Sequence, residues 1–176
     1  MARMRTAVLL TILMLLCVGL NAISCGNGDE EAVVLPSEGL YINPPWQEAE
    51  PGQEVTINVE MRPVDRGVSA GEINLGFDAS ALEVTGIEPG DFFGSNPLVG
   101  LNEMDNEAGT LGYSLARVGA TSVPSLPGIL MIIEFRVLED ADSGTYELTL
   151  TKVGLADENF EDLTDIEVQG ASIKVK

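Results

Sequence analysis

Histidine is absent from this chain of 176 residues, tryptophan occurs once and cysteine twice. Without histidine the chain lacks the commonest general base near neutral pH and the commonest metal-ligating side chain. Cys17 lies inside the apolar N-terminal run and Cys25 just beyond it, so neither a disulfide framework nor a thiolate zinc site is expected in the remaining sequence. Basic residues are also scarce, with 9 Lys and Arg against 28 Asp and Glu. So acidic a surface repels phosphates and anionic headgroups, which argues against nucleic acid as a partner and suits a soluble exported protein. Aromatic residues make up only 5%, too few to favour the flat row of exposed rings by which sandwich modules stack on sugars. Sustained helical periodicity and internal repeats are missing as well, which argues against helical, α/β and solenoid architectures.

Catalytic patterns fail residue by residue. Gly112, Tyr113 and Ser114 begin like a nucleophile elbow, but Ala116 stands where the second glycine belongs and no histidine exists to activate the serine. Paired carboxylates would suffice for glycoside hydrolysis, yet in a chain this acidic Glu134, Asp140, Asp142 and the cluster from Asp157 to Asp165 read as solvated surface. Asp157, Asn159 and Glu161 have the odd-position spacing of a calcium loop; Asp162 at the sixth position and Val168 at the twelfth break it. The expectation is a chain with no catalytic residues, no metal site and no cofactor.

What is present begins with an export signal. Arg3 and Arg5 precede the apolar run Ala7 to Leu20, which is too short for a spanning helix and ends abruptly in polar sequence. Ala22, Ile23, Ser24 and Cys25 resemble a bacterial lipobox, so residues 1–24 are expected to be a lipoprotein signal peptide and Cys25 the lipidation site. Ordinary signal cleavage near Ala22, releasing a secreted protein, is the alternative. Gly26 after the cysteine, rather than Asp, favours the outer membrane or cell surface in a cell with two membranes. Residues 25–37 then read as a flexible tether, acidic at first. Acyl chains at roughly 0.8 kcal/mol per buried methylene would anchor the protein without a membrane-spanning segment.

From residue 38 onward the sequence alternates with the period of half-buried strands. Val55, Ile57, Val59 and Met61 alternate with Thr56, Asn58, Glu60 and Arg62; Leu111, Tyr113 and Leu115 with Gly112, Ser114 and Ala116; Met131, Ile133, Phe135 and Val137 with Ile132, Glu134 and Arg136. Leu40 to Ile42, Tyr146 to Thr151 and Ile173 to Val175 add further strands, with Tyr41, Tyr113 and Tyr146 at core-phase positions. Trp46 is expected to pack at the sandwich end, Phe92 and Phe93 to anchor a turn, and Ser122 to Gly128 to form a loop. Eight or nine strands separated by Gly, Pro, Asn and Asp turns imply a single all-β sandwich. About 140 residues suffice to bury a core without disulfides.

The most specific segment runs from Gly71 to Phe93. Ile73, Leu75 and Phe77 alternate with Glu72, Asn74 and Gly76; Asp78, Ala79 and Ser80 turn the chain; Leu82, Glu83 and Val84 resume it before a Pro89-Gly90 turn. This order, with the stretch Gly128 to Phe160 and the terminal Gln169 to Lys176, resembles the cohesin family. The resemblance implies that residues 38–176 form a nine-stranded jelly-roll β-sandwich. It also implies a non-catalytic function, docking a dockerin carried by another secreted protein, with calcium on that partner rather than on this chain. Glu72, Asn74, Ser114, Ala116 and Arg117 are then the candidate partner-binding residues. Ala70 stands where such faces often carry Asp or Asn, and Arg117 where an acidic residue is common. Polysaccharide degradation is the setting the resemblance suggests. A carbohydrate-binding module of similar fold, contacting polysaccharide directly, is the alternative.

Overall fold

The computed structural model describes residues 38–62, 66–119, 122–124 and 126–176. The expected signal, Cys25 and tether lie outside the described residues. Among these residues all regular structure is extended: β1 (Gly39–Asn43), β2 (Trp46–Ala49), β3 (Glu54–Arg62), β4 (Ala70–Gly76), β5 (Leu82–Pro89), β6 (Leu98–Asp105), β7 (Thr110–Ala116), β8 (Gly128–Val137), β9 (Gly144–Ala156), β10 (Asp162–Leu163), β11 (Val168–Gln169) and β12 (Ala171–Val175). Nine of these have five residues or more, as a nine-stranded jelly roll requires, and β2, β10 and β11 are short additions.

Two sheets result. One has the order β11-β1-β3-β8-β5; the other runs β2-β12-β9-β4-β7-β6, with β10 added beside β9. Pairing is antiparallel except for β1 with β11 and β2 with β12. Strict alternation along β3 and β4 sends every second side chain inward, so Ile57, Val59 and Met61 meet Ile73 and Leu75 in a core completed by Leu40, Ile42, Tyr113, Ile133 and Phe135. Phe77 meets Phe135 edge to face, with ring centroids 5.3 Å apart.

The turns follow the sequence closely. Asp78 Oδ1 accepts from Ser80 N at 2.9 Å and from Ser80 Oγ at 2.6 Å, while Leu82 N donates to Asp78 O. This Asx turn reverses the chain between β4 and β5. Pro89 ends β5, an edge strand, where its missing N–H costs no ladder bond. Gly90 passes so close to the Ile129 carbonyl that a Cβ would collide with backbone, so the turn requires glycine there. Phe92 and Phe93 are buried, as expected of a turn anchor.

Three expectations change. Tyr41 is buried but on the outer face: Leu40 and Ile42 take the core positions, and Tyr41 packs beneath Arg62, 4.9 Å from the guanidinium carbon to the ring centroid, donating to Glu60 Oε2 at 2.7 Å. Trp46 begins strand β2 opposite Ser172 and remains 40% exposed rather than packing at the sandwich end. Residues 98–105, unassigned from sequence, form the edge strand β6.

Candidate functional site

The outer face of β6, β7, β4 and β9 is set by ladder register. Because β4 and β7 pair without interruption, Ala70 lies opposite Ala116, Glu72 opposite Ser114 and Asn74 opposite Gly112. All of these are half-buried and alternate with fully buried neighbours, so they share the outward surface. On the flanks, Leu98 pairs with Ala116 and Leu101 with Ser114 from β6, while Ala156, Gly154 and Lys152 of β9 pair with Ala70, Glu72 and Asn74.

Rows of side chains therefore cross four strands. The first is Leu98, Ala116, Ala70, Ala156; the second Leu101, Ser114, Glu72, Gly154; the third Glu103, Gly112, Asn74, Lys152. Three strand spacings of about 4.8 Å make each row roughly 14 Å wide. Ala116 and Ala70 in the first row and Ser114 and Gly154 in the second leave a shallow depression of about 350 Å³, lined also by Leu98 and Asp162.

Charge on this face is locally organised. Lys152 Nζ stands 2.6 Å from Glu72 Oε1, an ion pair between two partly exposed groups. Asn74 Oδ1 is buried with no hydrogen-bond partner. Gly112 makes room beside it: a Cβ there would lie 3.1 Å from Leu101 Cδ2 and 3.7 Å from Asn74 Oδ1.

Glu72, Asn74, Ser114 and Ala116 are thus brought together. Arg117 is placed differently, one residue past the end of β7, where its N–H donates to Ser69 O and its Nε to Ser69 Oγ, both at 3.0 Å. Ser69 is buried, so Arg117 clasps the start of β4. Leu98, Leu101, Lys152, Gly154 and Asp162 also belong to this surface and were not singled out from sequence. For Lys152 and Gly154 the signal is obscured by the register shift between Asn74 and Leu75 where β4 meets β9; for Leu98 and Leu101 it is obscured by the bulge at Gly100.

The loop from Asp157 to Glu161 borders the depression. Asp157, 3% exposed, accepts from Asn159 N at 2.8 Å and Glu161 N at 3.0 Å through Oδ1, while the Arg66 guanidinium binds Oδ2 and reaches Glu161 at 3.0 Å. Burial pushes the Asp157 carboxyl up, but these N–H donors and the Arg66 charge outweigh it and hold it below the ordinary carboxylate value. The calcium-like spacing of this segment serves an internally satisfied loop. Elsewhere, burial raises the Tyr113 phenol, with the nearby Glu88 carboxylate adding to the effect; Tyr113 is fully enclosed, so the elbow-like sequence around it is core strand.

Comparison with known proteins fits this architecture. A family model described as the cohesin domain matches residues 43–175. No curated protein matches the chain in sequence. Among solved structures, the OlpA cohesin from a Clostridium thermocellum type I cohesin–dockerin complex superposes with a TM-score of 0.69 at 14% identity, over 80% of this chain and 100% of that one. A type II cohesin from the cellulosome of Acetivibrio cellulolyticus gives 0.66 at 20% identity, over 78% and 95%. A non-cellulosomal cohesin from the archaeon Archaeoglobus fulgidus gives 0.62 at 17% identity, over 80% and 92%. These identities speak for the fold, and the family model, spanning most of the sequence, speaks for descent: the chain belongs to the cohesin family.

Proposed function

We propose that this protein is a non-catalytic docking module whose β6-β7-β4-β9 face receives a dockerin carried by another exported protein. The observation that supports this most is the register of β4 against β7, which lays Ala70, Glu72, Asn74, Ser114, Ala116 and Gly112 side by side as a shallow, small-residue surface. Such a surface lets a helix approach the sheet closely. Several solved relatives are themselves cohesin–dockerin complexes. The calcium in this reading belongs to the dockerin.

Direct sugar binding has less support. The exposed aromatics among the described residues are Trp46 and Phe160, one on the β2 edge strand and the other in the loop after β9, and Tyr41 is covered by Arg62. No stacking row results. The expected lipid anchor at Cys25 would make the module a docking point on the cell envelope, with polysaccharide degradation as one setting; labelling with radioactive palmitate, lost in Cys25→Ser, tests that part independently.

The docking reading is tested by a pull-down of the full-length protein against the exported proteins of its own source, with and without chelator, comparing wild type with Glu72→Arg. Calcium-dependent recovery of a dockerin-bearing protein, weakened by the substitution, is expected. Recovery of none would refute the proposal.

A further inference from the structure

Phe160 combines two costs that a structural residue has no reason to bear together. It is 79% exposed, and its φ of 62° lies in the left-handed region that disfavours side chains other than glycine and asparagine. The loop nonetheless enforces this conformation. Phe160 N donates to Asp157 O at 3.1 Å, Asp157 N to Glu161 O at 3.0 Å, and the Asp157 carboxylate gathers the N–H groups of Asn159 and Glu161 beneath the turn. Arg66 then ties Asp157 to Glu161 from a separate segment. A braced loop that holds an exposed ring in an unfavourable backbone conformation points to a contact made outside the chain.

Its position says which contact. Residues 157–161 join Ala156 to Asp162, and both of these line the depression. Ala156 ends the first row, Leu98, Ala116, Ala70, Ala156, whose members are apolar throughout. Leu98, at the other end, is 62% exposed, and Val118, just beyond Ala116, is exposed too. Acidic groups flank the row: Glu72 lies one row away, Asp162 beside Ala156, and Glu161 next to Phe160.

We infer that Phe160 is an apolar anchor for the docked partner, in the β9–β10 turn that adjoins the Ala156 end of the cross-strand stripe beginning at Leu98. This rests on the docking reading. The occupant is an amphipathic helix of the dockerin lying across the strands rather than along them. A row of roughly 14 Å takes about nine residues of helix at 1.5 Å per residue. Its apolar side chains at i, i+3 or i+4, and i+7 or i+8 meet Leu98, the alanines and Phe160, and its Lys or Arg residues beside that stripe meet Glu72, Glu161 and Asp162. Aromatic residues, phenylalanine among them, are enriched in protein–protein interfaces relative to the rest of the surface.

The test uses full-length protein and purified, calcium-loaded dockerin modules encoded by the source genome, with affinity measured by titration calorimetry and folding by thermal denaturation. Phe160→Gly removes the ring and relieves the backbone, so its midpoint should equal or exceed that of wild type while affinity falls about tenfold or more; Phe160→Tyr should retain affinity. Wild-type binding that Phe160→Gly leaves within about twofold would overturn the anchor and leave the docking reading intact. A lowered midpoint in Phe160→Gly would make the ring a packing group and overturn it as well. Failure of every dockerin to bind wild type would overturn both readings.

Discussion

Asn106 should be worth more to this fold than an exposed asparagine ordinarily is. Its side-chain amide accepts from Val84 N at 2.8 Å and donates to Val84 O at 3.0 Å, two bonds that copy one rung of a β-ladder. The copy stands at the side of the sandwich where β5 ends one sheet and β6 the other, and where β5 is irregular between Val84 and Gly86. Asn106→Ala removes both bonds. At about 1 kcal/mol net for each, with Val84 buried and only partly able to recruit water, the loss is about 2 kcal/mol. For a domain of this size that lowers the melting midpoint by roughly 6–10 °C. Asn106→Asp is the sharper perturbation, because a carboxylate still accepts from Val84 N but sets negative charge against Val84 O. It should be less stable than Asn106→Ala at neutral pH and recover part of the difference when the carboxyl protonates. Thermal and urea denaturation of the two variants at neutral and acidic pH measures this. An alanine variant melting within a degree of wild type, or an aspartate variant as stable as wild type, would refute the account of Asn106 as a surrogate strand.

Two further outcomes follow from the core and the loop. Phe135→Ala, which empties a fully buried site and strips Phe77 of its edge-to-face partner, should cost about 3–5 kcal/mol by urea denaturation. Asp157, whose carboxyl is held below its ordinary value of 3.8, contributes stability that is fully present above that value and is lost as pH falls through the depressed one. Asp157→Asn should therefore melt below wild type at neutral pH, with the difference closing in acid; a gap independent of pH would refute the assignment.

Most of the sandwich was legible because most of its strands bury one face and leave the other wet. The alternation in β3, β4, β7 and β8 states both the strand and its inward side, and the Asp78 turn and the Pro89-Gly90 corner fix where the chain reverses. Where that condition fails, so does the reading. β6 is an edge strand exposed along most of its length, and the bulge at Gly100 shifts its phase midway, so Leu98 and Leu101 both face outward despite odd spacing. β2 exists through its parallel partner β12, more than a hundred residues away, and no local pattern records that. Leu40, Tyr41 and Ile42 are apolar without interruption, so their phase was open; the ring of Tyr41 went outward because Glu60 and Arg62 on the neighbouring strand could satisfy and cover it. Asp157 sits in an acidic run that reads as solvated surface, whereas its carboxylate is enclosed by N–H donors from its own loop and by Arg66. The face itself was legible in β4 and β7, whose register is regular, and illegible in β6 and β9, whose contributions depend on bulges.

The Glu72–Lys152 pair decides what kind of charge the partner must bring. In the free protein Lys152 already occupies Glu72 at 2.6 Å, so a cation from the partner has to compete with it, while an anion would be drawn to Lys152 instead. Glu103 and Asp162 share the surrounding surface and Lys152 is the basic member of its rows, which favours a partner cation. Lys152→Met keeps the aliphatic stem, removes the competitor and costs the fold at most about 1 kcal/mol, as expected of an exposed pair. Affinity for a dockerin should then rise about three- to tenfold, and its decline with added salt should steepen, because a full carboxylate becomes available to the incoming Lys or Arg. A fall in affinity would mean that the partner presents an acid to Lys152. Affinity unchanged at both low and physiological salt would place the pair outside the contact and remove Glu72 from the docking surface.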